Sequence, residues 1–126
     1  MILDTTFLSD LHHEQQEQRF GPATAFIAAH RTESFLATVI SVGELVPIFP
    51  SEAEARTYFD RYRILRLHLA IAYMAGALDR ELIAVGQRLG ENDNWIAAFC
   101  RYYGQPLVSR DAGFDRVRGL RRLPYS

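Results

Sequence analysis

The chain has 126 residues, 48% of them hydrophobic and 23% charged, which is enough apolar mass to bury one core and too much for a disordered segment. Its net charge of −1 provides no overall attraction to nucleic acid or to a membrane surface. One cysteine, Cys100, excludes an intramolecular disulfide framework and a cysteine-built zinc site; with no secretion signal and no apolar run long enough for a bilayer, residues 1–126 are expected to form a single cytoplasmic domain.

The elements follow in chain order. Ile2-Leu3 reads as a short buried strand stopping at Asp4, and Thr5-Thr6 are suited to cap a helix beginning near Phe7. His12 to Phe20 is polar and reads as an exposed helix end or loop, closed by Gly21-Pro22. A helix over Ala23 to His30 precedes a second strand, Phe35 to Ile40, and Ser41 starts a helix that Pro47 and Pro50 interrupt. Ser51 is placed to cap a helix of Glu52 to Tyr62, and Ile64 to Leu67 forms a third strand. From His68 to Leu89 apolar residues recur at three- and four-residue steps, the stripe of an amphipathic helix that Gly76 or Asp79-Arg80-Glu81 divides in two if it breaks at all. A helix from Asn92 to Tyr103 ends at Gly104. Pro106 to Ser109 is a fourth strand and Leu120 to Leu123 a fifth at the edge. Alternating strands and helices predict an α/β fold, three layers with a mostly parallel central sheet of about five strands.

Four carboxylates, Asp4, Glu44, Asp93 and Asp111, stand where an apolar run ends or a helix begins. In a parallel sheet those positions gather at the carboxyl ends of the strands, where such sheets bind ligands. Each has a plain alternative. Asp4 fits an N-cap, and Ser41-Val42-Gly43-Glu44 fits a capping box. Asp93 in a first turn suits the helix dipole, although it shares a face with Ile96, Ala97 and Cys100. Asp111 competes with Asp115 for the last position and lies nearer the strand. Together they make a set of hard oxygen donors whose mutual repulsion a divalent cation, Mg²⁺ or Mn²⁺, would relieve.

The remaining candidates are plainer. Cys100 reads as a small core residue. His12, His13, His30 and His68 lack ligand spacing, and His12-His13 is expected to face solvent. Asp10, Glu14, Glu17, Asp79 and Glu81 read as solvated helix faces, and no glycine-rich phosphate loop occurs. All 14 basic residues are Arg; a high-GC coding sequence suffices to explain the absence of Lys. The cluster after Arg101 nevertheless makes Arg110, Arg116, Arg118, Arg121 and Arg122 candidates for contacts to phosphate.

In order along the chain, Ile2-Leu3-Asp4-Thr5-Thr6-Phe7-Leu8, Ile40-Ser41-Val42-Gly43-Glu44-Leu45, Gly90 to Ala98 with Asp93 three residues before Ile96-Ala97-Ala98, and Pro106 to Phe114 with Ser109-Arg110-Asp111 resemble the four motifs of the PIN-domain ribonucleases. The likeness is greatest to the VapC-type toxins of toxin–antitoxin pairs. Thr6 stands where that family commonly has Asn, and Gly43 where Ala is common.

The resemblance implies an endoribonuclease that hydrolyses RNA at a carboxylate-bound Mg²⁺ or Mn²⁺. Asp4, Asp93, Asp111 and Glu44 would be its catalytic and metal-binding residues, with Thr5, Thr6 and Ser109 in support. It further implies a VapB-like antitoxin partner and a homodimer. Two rivals remain at this point. A catalytically silent PIN scaffold could bind RNA or a protein. A haloacid-dehalogenase-like phosphatase would need an acid where Thr6 stands and a downstream Lys, and this chain has no Lys.

Overall fold

The computed structural model describes residues 1–125. Strand β1 is Ile2–Leu3, and helix α1, Thr5–Gln16, begins at once because the Asp4 carboxylate accepts the Thr5 backbone N–H at 2.8 Å. Asp4, rather than Thr5 or Thr6, is therefore the cap, and the helix starts two residues earlier than Phe7. Helix α2 is Pro22–Ala29, strand β2 Leu36–Thr38 and helix α3 Val39–Leu45, followed by a 3₁₀ turn at Val46–Ile48. Helix α4, Glu52–Phe59, takes its cap from Ser51, and β3 is Arg63–Leu65. Helix α5, Leu69–Ala84, runs unbroken through Gly76 and the polar Asp79-Arg80-Glu81. Helix α6 is Glu91–Tyr103, β4 Leu107–Val108, a 3₁₀ turn occupies Ala112–Arg116, and β5 is Arg122–Leu123.

All five strands are parallel, in the order β3-β2-β1-β4-β5. Successive residues of a strand face opposite sides of a sheet, and both central strands exploit this. Ile2 and Leu107 pack into one core with Ile71, Leu78, Ile96 and Phe99 of α5 and α6. Leu3 and Val108 pack into the other with Phe7, Ala23, Phe26, Ala55 and Phe59 of α1, α2 and α4. Two apolar faces require two helical layers, and the α/β/α architecture follows. Among the described residues no helix is long and apolar enough to cross a membrane.

Several local expectations are corrected. The second strand ends at Thr38, whose hydroxyl accepts the Ser41 N–H at 3.3 Å; Thr38 caps α3, so Ser41 lies inside the helix and the Ser41-to-Glu44 capping box does not form. His12 is half-buried against Phe49 and Tyr58 instead of facing solvent. Asp79 is half-buried and held by Arg88, while Glu81 stays exposed as expected and pairs with Arg101.

The largest departure is Glu14, only 2% exposed. Its carboxylate accepts the N–H groups of Gly21, Ala23 and Thr24 at 3.1, 3.0 and 2.8 Å, at the amino end of α2. Burial alone would raise its pKa; the amides outweigh that and hold it below the usual carboxylate range. Glu14→Ala should lower unfolding stability by about 3 kcal/mol, since three buried donors lose a charged acceptor. A reduced urea midpoint at unchanged slope is the expected result. An unaltered midpoint would show that water replaces the carboxylate without loss.

Candidate functional site

The chain moves outward from β1 to β2 and β3, then returns to β4 on the other side of β1. Strand order therefore reverses at β1, which leaves a crevice beyond the carboxyl ends of β1 and β4. Asp4 leaves β1, Ser109 and Asp111 follow β4, and Thr38 at the end of β2 caps the helix that carries Glu44. Asp93 enters from the first turn of α6.

Hydrogen bonds fix three of the acids, Asp111 among them, since its Oδ1 accepts the Gly113 N–H at 2.8 Å and caps the following 3₁₀ turn. Ser109 Oγ donates to Asp4 Oδ2 at 2.7 Å and accepts the Asp111 N–H at 3.0 Å, so one buried hydroxyl holds both the β1 and β4 exits. Thr5 Oγ1 donates to Glu44 Oε1 at 2.7 Å. With its only proton committed, Thr5 must accept from Ser41 Oγ, 2.8 Å away. Ser41 is thus a positioning residue that the sequence disguised as a helix cap. Thr6 is exposed, and Thr5 and Ser109 carry the contacts to the acids.

The acids feel one another. The Asp4 carboxyl, 3% exposed, is pushed up to about 6 first by burial and further by Asp93 and Asp111, against the opposing hydrogen bonds of Ser109 and Thr5. Asp93, half-buried, is raised by burial, then by Asp111 and by Glu44. Asp115 stands apart, bound by Arg122 at 2.9 and 3.0 Å. Of the two acids after β4, Asp111 is therefore the one whose charge reaches Asp4 and Asp93.

Among the described residues no three His, Cys, Asp or Glu side chains converge tightly enough to clasp an ion directly. The donors are all oxygen and three are tethered, which suits a hard cation that retains several waters better than one that demands a closed protein cage.

The arginines divide. Arg110, exposed and 3.4 Å from Asp10, follows Ser109 at the acid end. Arg122 also donates to the Ser109 carbonyl at 3.1 Å, and Arg116 to the Arg88 carbonyl at 3.2 Å. Arg118 and Arg121 line a cavity with Gln105 and Pro106, at the amino end of β4, away from the acids.

Residues 1–120 match the family model of the PIN domain. The chain belongs to the PIN domain family. Solved structures share the fold. A chain of VapBC2 from Rickettsia felis, bound to a DNA fragment from the promoter, aligns at a TM-score of 0.80 with 18% identity, over 99% of this chain and 98% of that one. A chain of DNA-bound VapBC from Salmonella typhimurium aligns at 0.79 with 19% identity, over 99% and 97%. A chain of VapBC-1 from nontypeable Haemophilus influenzae aligns at 0.77 with 19% identity, over 98% and 96%. No curated protein sequence matches.

A raised carboxyl pKa in this PIN domain stabilises the fold below its ordinary value of 3.8, and that contribution is lost as pH rises through about 6. At about 1.4 kcal/mol per unit, ionising Asp4 costs the metal-free protein up to about 3 kcal/mol by neutral pH. Asp4→Asn should remove that loss, so that the stability difference between variant and wild type grows in the variant's favour from pH 4 to pH 7 in chelator. A difference that is flat with pH would mean that Asp4 titrates normally.

Proposed function

We propose that this PIN domain is a metal-dependent endoribonuclease, a VapC-type toxin that uses Mg²⁺ or Mn²⁺ in the cytoplasm. The observation that carries this reading is the pair of tethers, Ser109 to Asp4 and Thr5 to Glu44, holding carboxylates in the field of Asp93 and Asp111 at the sheet's switch point. A fold that only needed caps would not keep acids facing one another with no cationic partner at that cost.

Asp4 and Asp93 would hold the cation, directly or through water, with Asp111 completing the acidic wall. Such a cation would supply an acidified water and offset charge on the scissile phosphate. Glu44, aligned by the Ser41–Thr5 relay, orients the attacking water and takes up its proton. Ser109 keeps Asp4 ionised and in place. Arg110, exposed and directly after Ser109, engages the adjoining RNA phosphate in exchange for its 3.4 Å pairing with Asp10, a contact that adds affinity without reading sequence. Arg122 is occupied by Asp115, and Arg116, Arg118 and Arg121 would meet only an RNA long enough to leave the crevice. The structural neighbours are VapBC complexes, which supports a VapB-like antitoxin as partner. A homodimer is part of the same reading.

The test is cleavage of RNA by purified protein. Mg²⁺ or Mn²⁺ should support it and chelator abolish it, with the same ions raising the melting temperature through selective binding to the folded state. Asp4→Asn and Asp93→Asn should each cut the rate by about 100-fold or more and remove most of the melting shift. No metal response in wild type would favour the catalytically silent PIN scaffold.

Glu44→Gln provides a second check. Glutamine still accepts from Thr5, so circular dichroism and melting should match wild type while cleavage collapses. Full activity in that variant would remove Glu44 from the chemistry.

A further inference from the structure

Arg110, the proposed phosphate contact, belongs to a network whose other two members the chemistry does not use. Tyr125, just beyond β5, is 8% exposed, with its ring set edge-on against Phe7 at 4.7 Å. Its hydroxyl donates to Oδ2 of Asp10, on α1, at 2.6 Å. Arg110 approaches the same Oδ2 at 3.4 Å, with 53% of its side chain exposed. Burial first, and then Asp10, push the Tyr125 hydroxyl above its ordinary range, so it stays protonated and remains a donor. The charges of Arg110 and Asp4 both reach that hydroxyl, which sets the network at the edge of the acid cluster.

The Arg110 pair is unlike the other arginine–aspartate pairs. Arg88 binds Asp79 through two bonds of 3.0 and 3.1 Å, and Arg122 binds Asp115 through two of 2.9 and 3.0 Å. Among the described residues nothing else donates to either carboxylate, and the fork of each guanidinium closes on both oxygens, the strong form of the pair. Arg110 instead meets one oxygen, at the longest distance of the six ion pairs among the described residues, and makes no side-chain hydrogen bond there. What distinguishes Asp10 is Tyr125, which already draws on the oxygen that Arg110 faces.

We propose that Asp10 occupies Arg110 as a stand-in for an RNA phosphate, and that Tyr125 sets how readily the phosphate displaces it. Both are positioning residues that act through Arg110, and the inference rests on the reading of the acids as an RNA-cleaving centre. Without RNA, the Asp10 carboxylate restrains a long, exposed side chain near its working place, which lowers the entropy lost when RNA arrives. A phosphodiester beside the acids then offers Arg110 a bidentate partner, and one contact of 3.4 Å is all that must be given up. Without the Tyr125 hydroxyl, both Asp10 oxygens would be open to the guanidinium, and a pair like those of Arg88 and Arg122 would hold Arg110 back. Tyr125 thus favours substrate by weakening an internal competitor.

The test is the affinity of the full chain for a labelled single-stranded RNA, read by anisotropy in chelator, where binding is followed without metal-dependent cleavage. Tyr125→Phe keeps the ring on Phe7 and changes no charge; it should weaken binding about 3- to 10-fold, the worth of one hydrogen bond. Asp10→Asn should tighten binding by a similar factor and, combined with Tyr125→Phe, rescue it, which a purely structural role for the tyrosine would not allow. Arg110→Ala should weaken binding, lower the log–log salt slope by about 0.7, the single-strand value for one phosphate, and silence both other changes.

Equal affinities in wild type and Tyr125→Phe, or a loss that Asp10→Asn does not rescue, would overturn the proposal. So would a gain in Asp10→Asn that persists in the Arg110→Ala background, since general relief of repulsion would then suffice, and so would a wild type that binds no RNA. Any of the first three results beside normal metal-dependent cleavage removes the Arg110 exchange alone. The expected order of affinities without cleavage under Mg²⁺ or Mn²⁺ supports the exchange and removes the nuclease reading.

Discussion

The hydrogen bond from Ser109 to Asp4 joins residues 105 positions apart in sequence, and the site depends on it. It couples the exits of the two central strands, β1 and β4, on which both hydrophobic cores are built. The same hydroxyl accepts the Asp111 amide, so the geometry of two acids is set by one buried oxygen. The Asp4 carboxylate is buried beside like charges, where it is costly to ionise. The tether lowers that cost without removing it, leaving a residue of negative potential for a cation to relieve.

Structural and functional explanations of the acids are not alternatives here. Asp4 caps α1 through Oδ1 and meets Ser109 through Oδ2, so one carboxylate serves both purposes with different lone pairs. Glu44 is relieved of a capping role because Thr38 performs it, three residues before the serine that seemed suited to the task. The acids that are spent on structure are elsewhere: Glu14 anchors α2, Asp115 holds Arg122, and Asp79 holds Arg88. In each of those, partners occupy the carboxylate. Asp93 makes no side-chain hydrogen bond among the described residues, whereas Asp4, Glu44 and Asp111 each accept neutral donors and none is paired with an arginine.

The same accounting applies to the basic residues. A chain with a net charge of −1 can attract an anion only through a local surface, and the C-terminal arginines are contiguous only in sequence. Because β4 and β5 are parallel, Arg121 lies at the amino end of the sheet and Arg110 at the carboxyl end. Arg122, between them, is turned inward to Asp115 and the Ser109 carbonyl, where it braces the end of β4 beside the acids.

Sequence alone determined the layer architecture of a five-stranded parallel sheet, and it singled out four acids at strand exits and helix starts as candidates. Apolar pairs such as Ile2-Leu3 and Leu107-Val108 can be buried on both faces only in a covered parallel sheet, and the end of a parallel strand is a fixed address. What it left open was which acids share a charge field, which are already partnered, and where each helix begins. Those outcomes depend on contacts between residues distant in the chain: Ser109 with Asp4, Thr5 with Glu44 and Ser41, and Tyr58 with the Leu8 carbonyl. Glu14 was misjudged for the same reason, since its polar neighbours Gln15 and Gln16 point to solvent while the turn at Gly21 folds α2 back over the carboxylate. Local patterning records the energy of burial and of the nearest turn. Only the packed chain decides which charges are brought together and which are neutralised.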